Sequence, residues 1–303
     1  MKRIFIAGTG NVGKKLIDLI VTYRPDLKIV GMENRRGLIQ SENLTLKDIQ
    51  DFMKNPKNYS RNEMTLDYDV YVDLRSATPD GKLEMETYKS QFDQGKDVVT
   101  ANKSGLSNYW QEIMKSKENS QRDILYEATV AGGLPIFTTI RHSAGYFHIT
   151  YFRGIVNLTS NFIIKSINSG MTMDDAIREA RKMGIAEEKM EDDLSGKDSA
   201  RKAVILANSL FGKNLRLGEI KYGGFDPEKT NNSMLLVTID SRGGFSLRSG
   251  LEILEQQDPY LSMKRTAMAA DFKFEGRAGI SIWEDFDGPT ETASAVLNDI
   301  LEI

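Results

Sequence analysis

Asp193, Asp198 and Lys202, in the run Asp192-Asp193-Leu194-Ser195-Gly196-Lys197-Asp198-Ser199-Ala200-Arg201-Lys202, are the residues of this chain best suited to proton chemistry. Apolar residues recur at helical spacing from Asp198 to Gly212, so Asp198 and Lys202 stand one turn apart on one face. An ammonium then lies beside a carboxylate. A solvated ion pair of the kind found on most helices is the plain alternative. Against it, Ala203, Val204, Leu206 and Ala207 bury the helix just beyond the pair, and Asp193 adds a second acid ahead of the Ser195-Gly196 turn. Burial lowers the pKa of such a lysine while fixed carboxylates hold its position, which tunes it for proton transfer.

A second chemical pattern is Gly8-Thr9-Gly10-Asn11-Val12-Gly13, placed directly after a strand pattern and at the start of a helical one. The first glycine permits a tight turn, the second lets backbone approach a pyrophosphate, and the third allows close helix-strand packing, with the helix N-terminus facing the anion. This is a dinucleotide fingerprint. At the end of the next strand, Glu33 has the spacing of the acid that holds an adenosine ribose, which favours NAD. If Asn34 occupies the tip instead, Arg35 and Arg36 suit a 2′-phosphate and favour NADP. The balance leans to NADP(H), with NAD(H) open.

Three further polar segments end strands. Asn102 and Lys103 follow Asp97–Thr100 and should face the ligand crevice of a doubly wound sheet. Tyr126-Glu127-Ala128-Thr129-Val130-Ala131-Gly132-Gly133-Leu134-Pro135 ends a strand in a glycine pair, and such a loop could bind a monovalent cation, shape a substrate pocket or simply make a tight domain-crossing turn. Asn157-Leu158-Thr159-Ser160-Asn161 offers groups that orient a small polar ligand, or an N-cap.

Positioning these residues takes two folding units. Up to about residue 130, β-type runs at Arg3–Ala7, Lys28–Met32, Val70–Leu74, Asp97–Thr100 and Ile124–Glu127 alternate with helical patterns at Asn11–Tyr23, Leu46–Met53, Pro79–Gln94 and Ser107–Lys115. That alternation predicts an α/β fold, a Rossmann-type doubly wound parallel sheet. Beyond Gly133 the pattern predicts an α+β unit, with helices at Leu134–Ser143, Asn161–Ile167, Met173–Met183 and Asp198–Gly212 and strands at His148–Asn157, Met234–Ile239 and Leu261–Ala267. The last helix, Glu291–Leu301, should return to the first unit. The expected domains are therefore 1–131 with about 286–303 for the dinucleotide, and 132–285 for substrate and dimerisation.

Composition narrows the function classes. The 303 residues contain no cysteine and two histidines, which excludes thiol catalysis and disulfides and disfavours zinc. Forty Lys+Arg against 43 Asp+Glu give a net charge of -3, with no broad attraction for nucleic acid or anionic membrane. Small molecules are the expected partners. The apolar run after Met1-Lys2-Arg3 is too short for a signal peptide and no run matches a membrane span, so a cytoplasmic location is the default expectation.

In order along the chain, GTGNVG, DVVTANKSGLS, YEATVAGGLPIF, RGIVNLTSNFI, GIAEEKMEDDLSGKDSARKAVILAN and TASAVLNDI resemble the homoserine dehydrogenase family. The resemblance implies NAD(P)-dependent interconversion of L-aspartate 4-semialdehyde and L-homoserine, on the path to threonine and methionine. It implies Lys202 as proton donor with Asp198 beside it, Lys103 as a second essential lysine, and Glu187, Asp193 and Thr159 around the substrate. A Na+ or K+ site would comprise Glu127 with the carbonyls of Val130, Gly132 and Leu134, and the protein would form a homodimer. Where relatives read Asp-x-Thr, this chain has Asp73-Leu74-Arg75-Ser76, so the nicotinamide-side contact falls to Ser76. Leu158 replaces the usual glycine, and the late glycine-rich loop is shortened to Asp287-Gly288-Pro289-Thr290-Glu291, leaving Gly288 to touch cofactor. No length remains for a fused kinase or regulatory domain, so feedback inhibition through one is not expected. Aspartate-semialdehyde dehydrogenase needs a cysteine thioester and is excluded. A non-catalytic dinucleotide-sensing scaffold is the remaining alternative, opposed by the presence together of Lys103, Glu187, Asp198 and Lys202.

Overall fold

Near-continuous apolar runs such as Ile4-Phe5-Ile6-Ala7 and Val70-Tyr71-Val72 are buried on both faces, the signature of parallel strands covered by helices. The computed structural model describes residues 1–60, 65–186 and 190–303. It comprises two units, Met1–Thr129 with Pro289–Ile303, and Val130–Gly288.

In chain order the first unit contains β1 (Lys2–Ala7), α1 (Asn11–Tyr23), β2 (Leu27–Asn34), β3 (Gly37–Gln40), α2 (Leu46–Lys54), β4 (Val70–Asp73), α3 (Lys82–Asp93), β5 (Asp97–Thr100), α4 (Ser104–Asn108), α5 (Trp110–Ser120) and β6 (Ile124–Leu125). Its sheet runs β3-β2-β1-β4-β5-β6, parallel throughout except for the antiparallel β2–β3 hairpin at one edge. The chain leaves β1 toward β2 and later returns to the other side of β1 as β4. This strand-order reversal opens a ligand crevice at the carboxyl ends of β1 and β4.

The second unit contains α6 (Ile136–Ala144), β7 (Ile149–Ile155), α7 (Leu158–Asn168), α8 (Met173–Lys182), α9 (Glu191–Leu194), α10 (Lys197–Phe211), β8 (Ser233–Asp240), β9 (Ser246–Ile253), α11 (Pro259–Ser262), β10 (Met268–Phe274) and β11 (Arg277–Glu284). Its antiparallel sheet is ordered β11-β10-β7-β8-β9, and α7 and α10 cover it. Finally α12 (Pro289–Glu302) packs on α1, with Ala293, Val296 and Ile300 joining Leu16 and Ile20 in the core of the first unit.

Several elements differ from the sequence pattern. No strand occupies Leu261–Ala267; α11 and a turn stand there, and the strand begins at Met268. β3, β9 and β11 carry too little apolar alternation to be seen, since β9 and β11 are edge strands with mostly exposed or half-buried residues. The Ser107–Lys115 pattern is two helices broken at Tyr109, whose backbone leaves helical geometry at φ -134, ψ 36. The strand expected at Ile124–Glu127 stops at Leu125, and Glu127 opens a 3-10 turn ending at Thr129. Pro135 is the N-cap of α6 rather than part of its first turn. Asn157 caps α7 by accepting from Ser160 N at 2.9 Å, so that helix starts three residues before the apolar pattern suggests.

Candidate active site

The C-terminal end of β7 delivers Val156 and Asn157 to the first turn of α10. There Lys202 Nζ lies 2.7 Å from Asp198 Oδ2 and donates to Val156 O at 2.5 Å. Asn157 Nδ2 donates to Asp193 Oδ1 at 2.8 Å and to Asp198 Oδ2 at 3.2 Å. One amide thus ties both acids together, and the helical spacing of Asp198 and Lys202 becomes an actual pair. Ser160 Oγ donates to Asp193 O at 3.0 Å, which fixes the short helix α9 that carries this acid.

Only 12% of the Lys202 side chain and 15% of that of Asp198 are exposed, so the solvated-pair alternative does not describe them. Burial pulls the Lys202 pKa down, but the charge and hydrogen bond of Asp198, with Asp193 and Asp287 behind it, more than reverse this and leave it raised. This corrects the expectation of a lowered value. Three carboxylates favour the ammonium, so the group is held as a proton donor rather than as a free base.

In the first unit, the glycines fit a dinucleotide loop for separate steric reasons. Gly8 has φ +108, and a Cβ there would lie 2.5 Å from Leu74 C; a Cβ on Gly13 would lie 2.3 Å from Gly8 O. A Cβ on Gly10, by contrast, would meet nothing within 4 Å, so this position faces open space. Gly10 gives α1 no side-chain cap and the first turn has no acid, leaving amide groups available to an anion. Asn11 and Val12 begin α1. The adjoining cleft has a volume of about 570 Å³ and is walled by Gly8, Gly10, Glu33, Asn34, Arg35, Arg36, Arg75 and Ser76, among others.

Asn34 ends β2 opposite Gly37, which makes Arg35 and Arg36 the two-residue turn of the β2–β3 hairpin. Its side chain locks that turn to the fingerprint, donating from Nδ2 to Thr9 Oγ1 at 2.9 Å and accepting from Arg36 N at 2.8 Å. Lys14 and Lys54 line the same cleft and were not singled out by the sequence pattern, because surface lysines are too common to signal a site.

Family models describe the two parts of the chain separately: one for homoserine dehydrogenase matches residues 135–301, and one for the homoserine dehydrogenase NAD binding domain matches residues 8–127. A homoserine dehydrogenase of Methanocaldococcus jannaschii is 28% identical, over 99% of this chain and 98% of that protein. The chain belongs to the homoserine dehydrogenase family. Among solved structures, a homoserine dehydrogenase from Thermoplasma acidophilum superposes with a TM-score of 0.90 at 34% identity, covering 99% of this chain and 98% of that one. A hyperthermophilic archaeal homoserine dehydrogenase in complex with NADPH superposes at 0.82 with 26% identity, covering 100% and 97%.

The remaining homoserine dehydrogenase candidates distribute over the two units. Lys103 is half-buried between β5 and α4, next to the buried Asn102, whose Nδ2 donates to Glu84 Oε1 at 3.0 Å. Thr159 is buried on α7 with its hydroxyl donated to Ile185 O at 3.1 Å, so only acceptor lone pairs remain for a ligand. Glu187 lies outside the described residues. Glu127 is buried in the first unit; Val130, Gly132 and Leu134 belong to the second, and Leu134 O already accepts from Ile136 N at 2.8 Å. Gly288 closes the second unit just before α12.

Asn157 and Asp287 are the acid-lysine neighbours with no individual role in the sequence reading. Asp287 Oδ1 accepts from Gly133 N at 3.3 Å and fills the space a Cβ on Gly132 would need. Among the described residues no group of three or more acidic or imidazole side chains could hold a metal ion, and no helix is long and apolar enough to cross a membrane.

Proposed function

We propose that Lys202 is the proton donor in the reaction this chain catalyses. The activity is that of an NAD(P)-dependent homoserine dehydrogenase, interconverting L-aspartate 4-semialdehyde and L-homoserine. A bound reduced nicotinamide supplies the hydride to the aldehyde carbon. As the carbonyl π pair moves to oxygen, Lys202 Nζ gives that oxygen a proton and becomes a neutral amine. Asp198 and the Val156 carbonyl hold Nζ in place throughout. In the oxidative direction the amine takes the hydroxyl proton, so homoserine oxidation should strengthen as pH rises.

The observation that carries this reading is the buried Lys202–Asp198 pair, bridged through Asn157 to Asp193. Asp193, together with Glu187, holds the substrate ammonium in this proposal; Thr159 supports it through its acceptor oxygen. Lys103 is the second lysine, tested by its own replacement. Asn34 at the strand tip and the Arg35-Arg36 turn favour NADPH over NADH, with Gly8, Gly10, Asn11, Val12, Gly13, Ser76, Asn102 and Gly288 as further cofactor contacts. The cation reading of Glu127, Val130, Gly132 and Leu134 is tested by exchanging Na+ and K+ for choline. The proposal includes a cytoplasmic location and a homodimer formed through the second unit; Trp283 and Ile253, 63% and 76% exposed on its edge strands, support the homodimer. Light scattering tests that assembly. The deciding assay is homoserine oxidation with each cofactor, read at the nicotinamide absorbance band; no turnover with either would remove the functional reading.

A further inference from the structure

One cation on the wall of the cofactor cleft is explained neither by the glycine fingerprint nor by the Arg35-Arg36 turn. Arg75 follows β4, its side chain 26% exposed, and lines the cleft beside Gly8 and Gly10. Its Nε donates to Asp73 Oδ1 at 2.9 Å and its Nη2 to Asp73 Oδ2 at 3.0 Å, a two-pronged grip on a fully buried carboxylate. Tyr88 Oη donates to the same carboxylate at 2.9 Å, so the anchor is itself fixed. Such a fork sets the plane of a guanidinium as well as its position.

Two more facts give this anchored group a direction. An added Cβ on Gly8 would lie 2.7 Å from Arg75 N, so Arg75 leaves the backbone where the first glycine of the fingerprint turns. Nη2 also reaches Thr87 Oγ1 at 3.4 Å, whereas Nη1 has no acceptor among the described residues and is not sealed from solvent. A desolvated ion pair is a poor device for stability alone, and an apolar pair would serve as well. An arginine with Nε and Nη2 spent on fixing it and the two N–H groups of Nη1 left over is suited to receive a ligand oxygen.

We infer that Arg75 binds the dinucleotide directly, offering Nη1–H to an oxygen of the diphosphate-ribose stretch shared by NADPH and NADH. Asp73 nearly cancels its charge, so Arg75 acts as an aimed donor rather than as a field. Its effect is therefore common to both cofactors, unlike that of Arg35 and Arg36, which bear on the 2′-phosphate of only one.

The inference rests on reading the cleft as a nicotinamide dinucleotide site, and the test separates the two. NADPH and NADH are titrated by nicotinamide fluorescence into wild type, Arg75→Lys, and the double variant Asp73→Asn/Arg75→Met. The double variant avoids leaving a buried carboxylate unpaired and keeps an oxygen for Tyr88. Affinity should fall about tenfold for the double variant, by the same factor for both cofactors, as expected for one lost hydrogen bond to a charged group. Arg75→Lys keeps the charge but loses the fork and should show a smaller common loss. It carries the test if the double variant does not fold. Unchanged affinities in the variants overturn the role of Arg75 while leaving the cleft's function intact, and so does a loss confined to NADPH. Wild type binding neither cofactor would remove both readings together.

Discussion

Replacing Lys202 with methionine keeps an apolar stem of similar length and deletes the ammonium, which separates its chemical role from its packing. Asp198, 2.7 Å from Nζ, and Asp193 would lose that ammonium and keep the Asn157 amide they share. Breaking one side of a buried pair costs about 3–5 kcal/mol. Asp198 keeps 15% exposure and its hydrogen bond from Asn157, so a loss of about 2 kcal/mol at pH 7 is expected. The pKa of Lys202 is raised above 10.5, so its wild-type stabilisation is complete below that value and is lost as pH climbs through the folded-state one. Removing the proton donor should lower kcat for aldehyde reduction about 10²-fold or more, with NADPH affinity unchanged. Denaturant midpoints, steady-state reduction of the semialdehyde and NADPH titration read the three quantities separately. A variant with kcat within about threefold of wild type, or one whose catalytic loss is matched by lost NADPH binding, would refute the assignment of Lys202 as donor.

Alanine at both Arg35 and Arg36 should raise the Michaelis constant for NADPH about tenfold or more and leave that for NADH nearly unchanged; an unaltered ratio would show that the hairpin turn does not read the 2′-phosphate. Gly8→Ala forces a side chain to φ +108 and places Cβ 2.5 Å from Leu74 C, so a loss of about 2–4 kcal/mol and of NADPH binding is expected in denaturation and titration experiments. Lys165 Nζ donates to Tyr260 O at 2.7 Å and Met263 O at 2.6 Å, tying α11 to α7; Lys165→Met should cost about 2 kcal/mol by orphaning those carbonyls. Burial holds this amine down at about 8, so wild-type stability should climb between pH 8 and the ordinary 10.5, and the variant should lose that climb.

Residues that act through short-range spacing were legible in the chain. The fingerprint glycines, the Asp198–Lys202 turn and the strand ends bearing Asn34 and Asn102 each depend on periodicity or on contacts within a few residues. The alternation of strands and helices likewise dictated the doubly wound first unit, because parallel strands must be apolar on both faces. Edge strands were hidden for the converse reason: β9 and β11 bury little, so no hydrophobic pattern was required of them.

Tertiary structure alone decided the electrostatics. Sequence spacing put Asp198 beside Lys202, marked Asp193 as a second acid nearby, and suggested that burial would lower the lysine's pKa. Folding tied Asp193 to Asp198 through Asn157 and brought Asp287 from a segment about eighty-five residues away in the chain, and the field of all three reversed that sign. Arg75, likewise, was visible only as a departure from a pattern. Its grip on Asp73 and its place beside Gly8 depend on β1 and β4 being neighbours in the sheet, a pairing between residues more than sixty positions apart that local sequence does not encode.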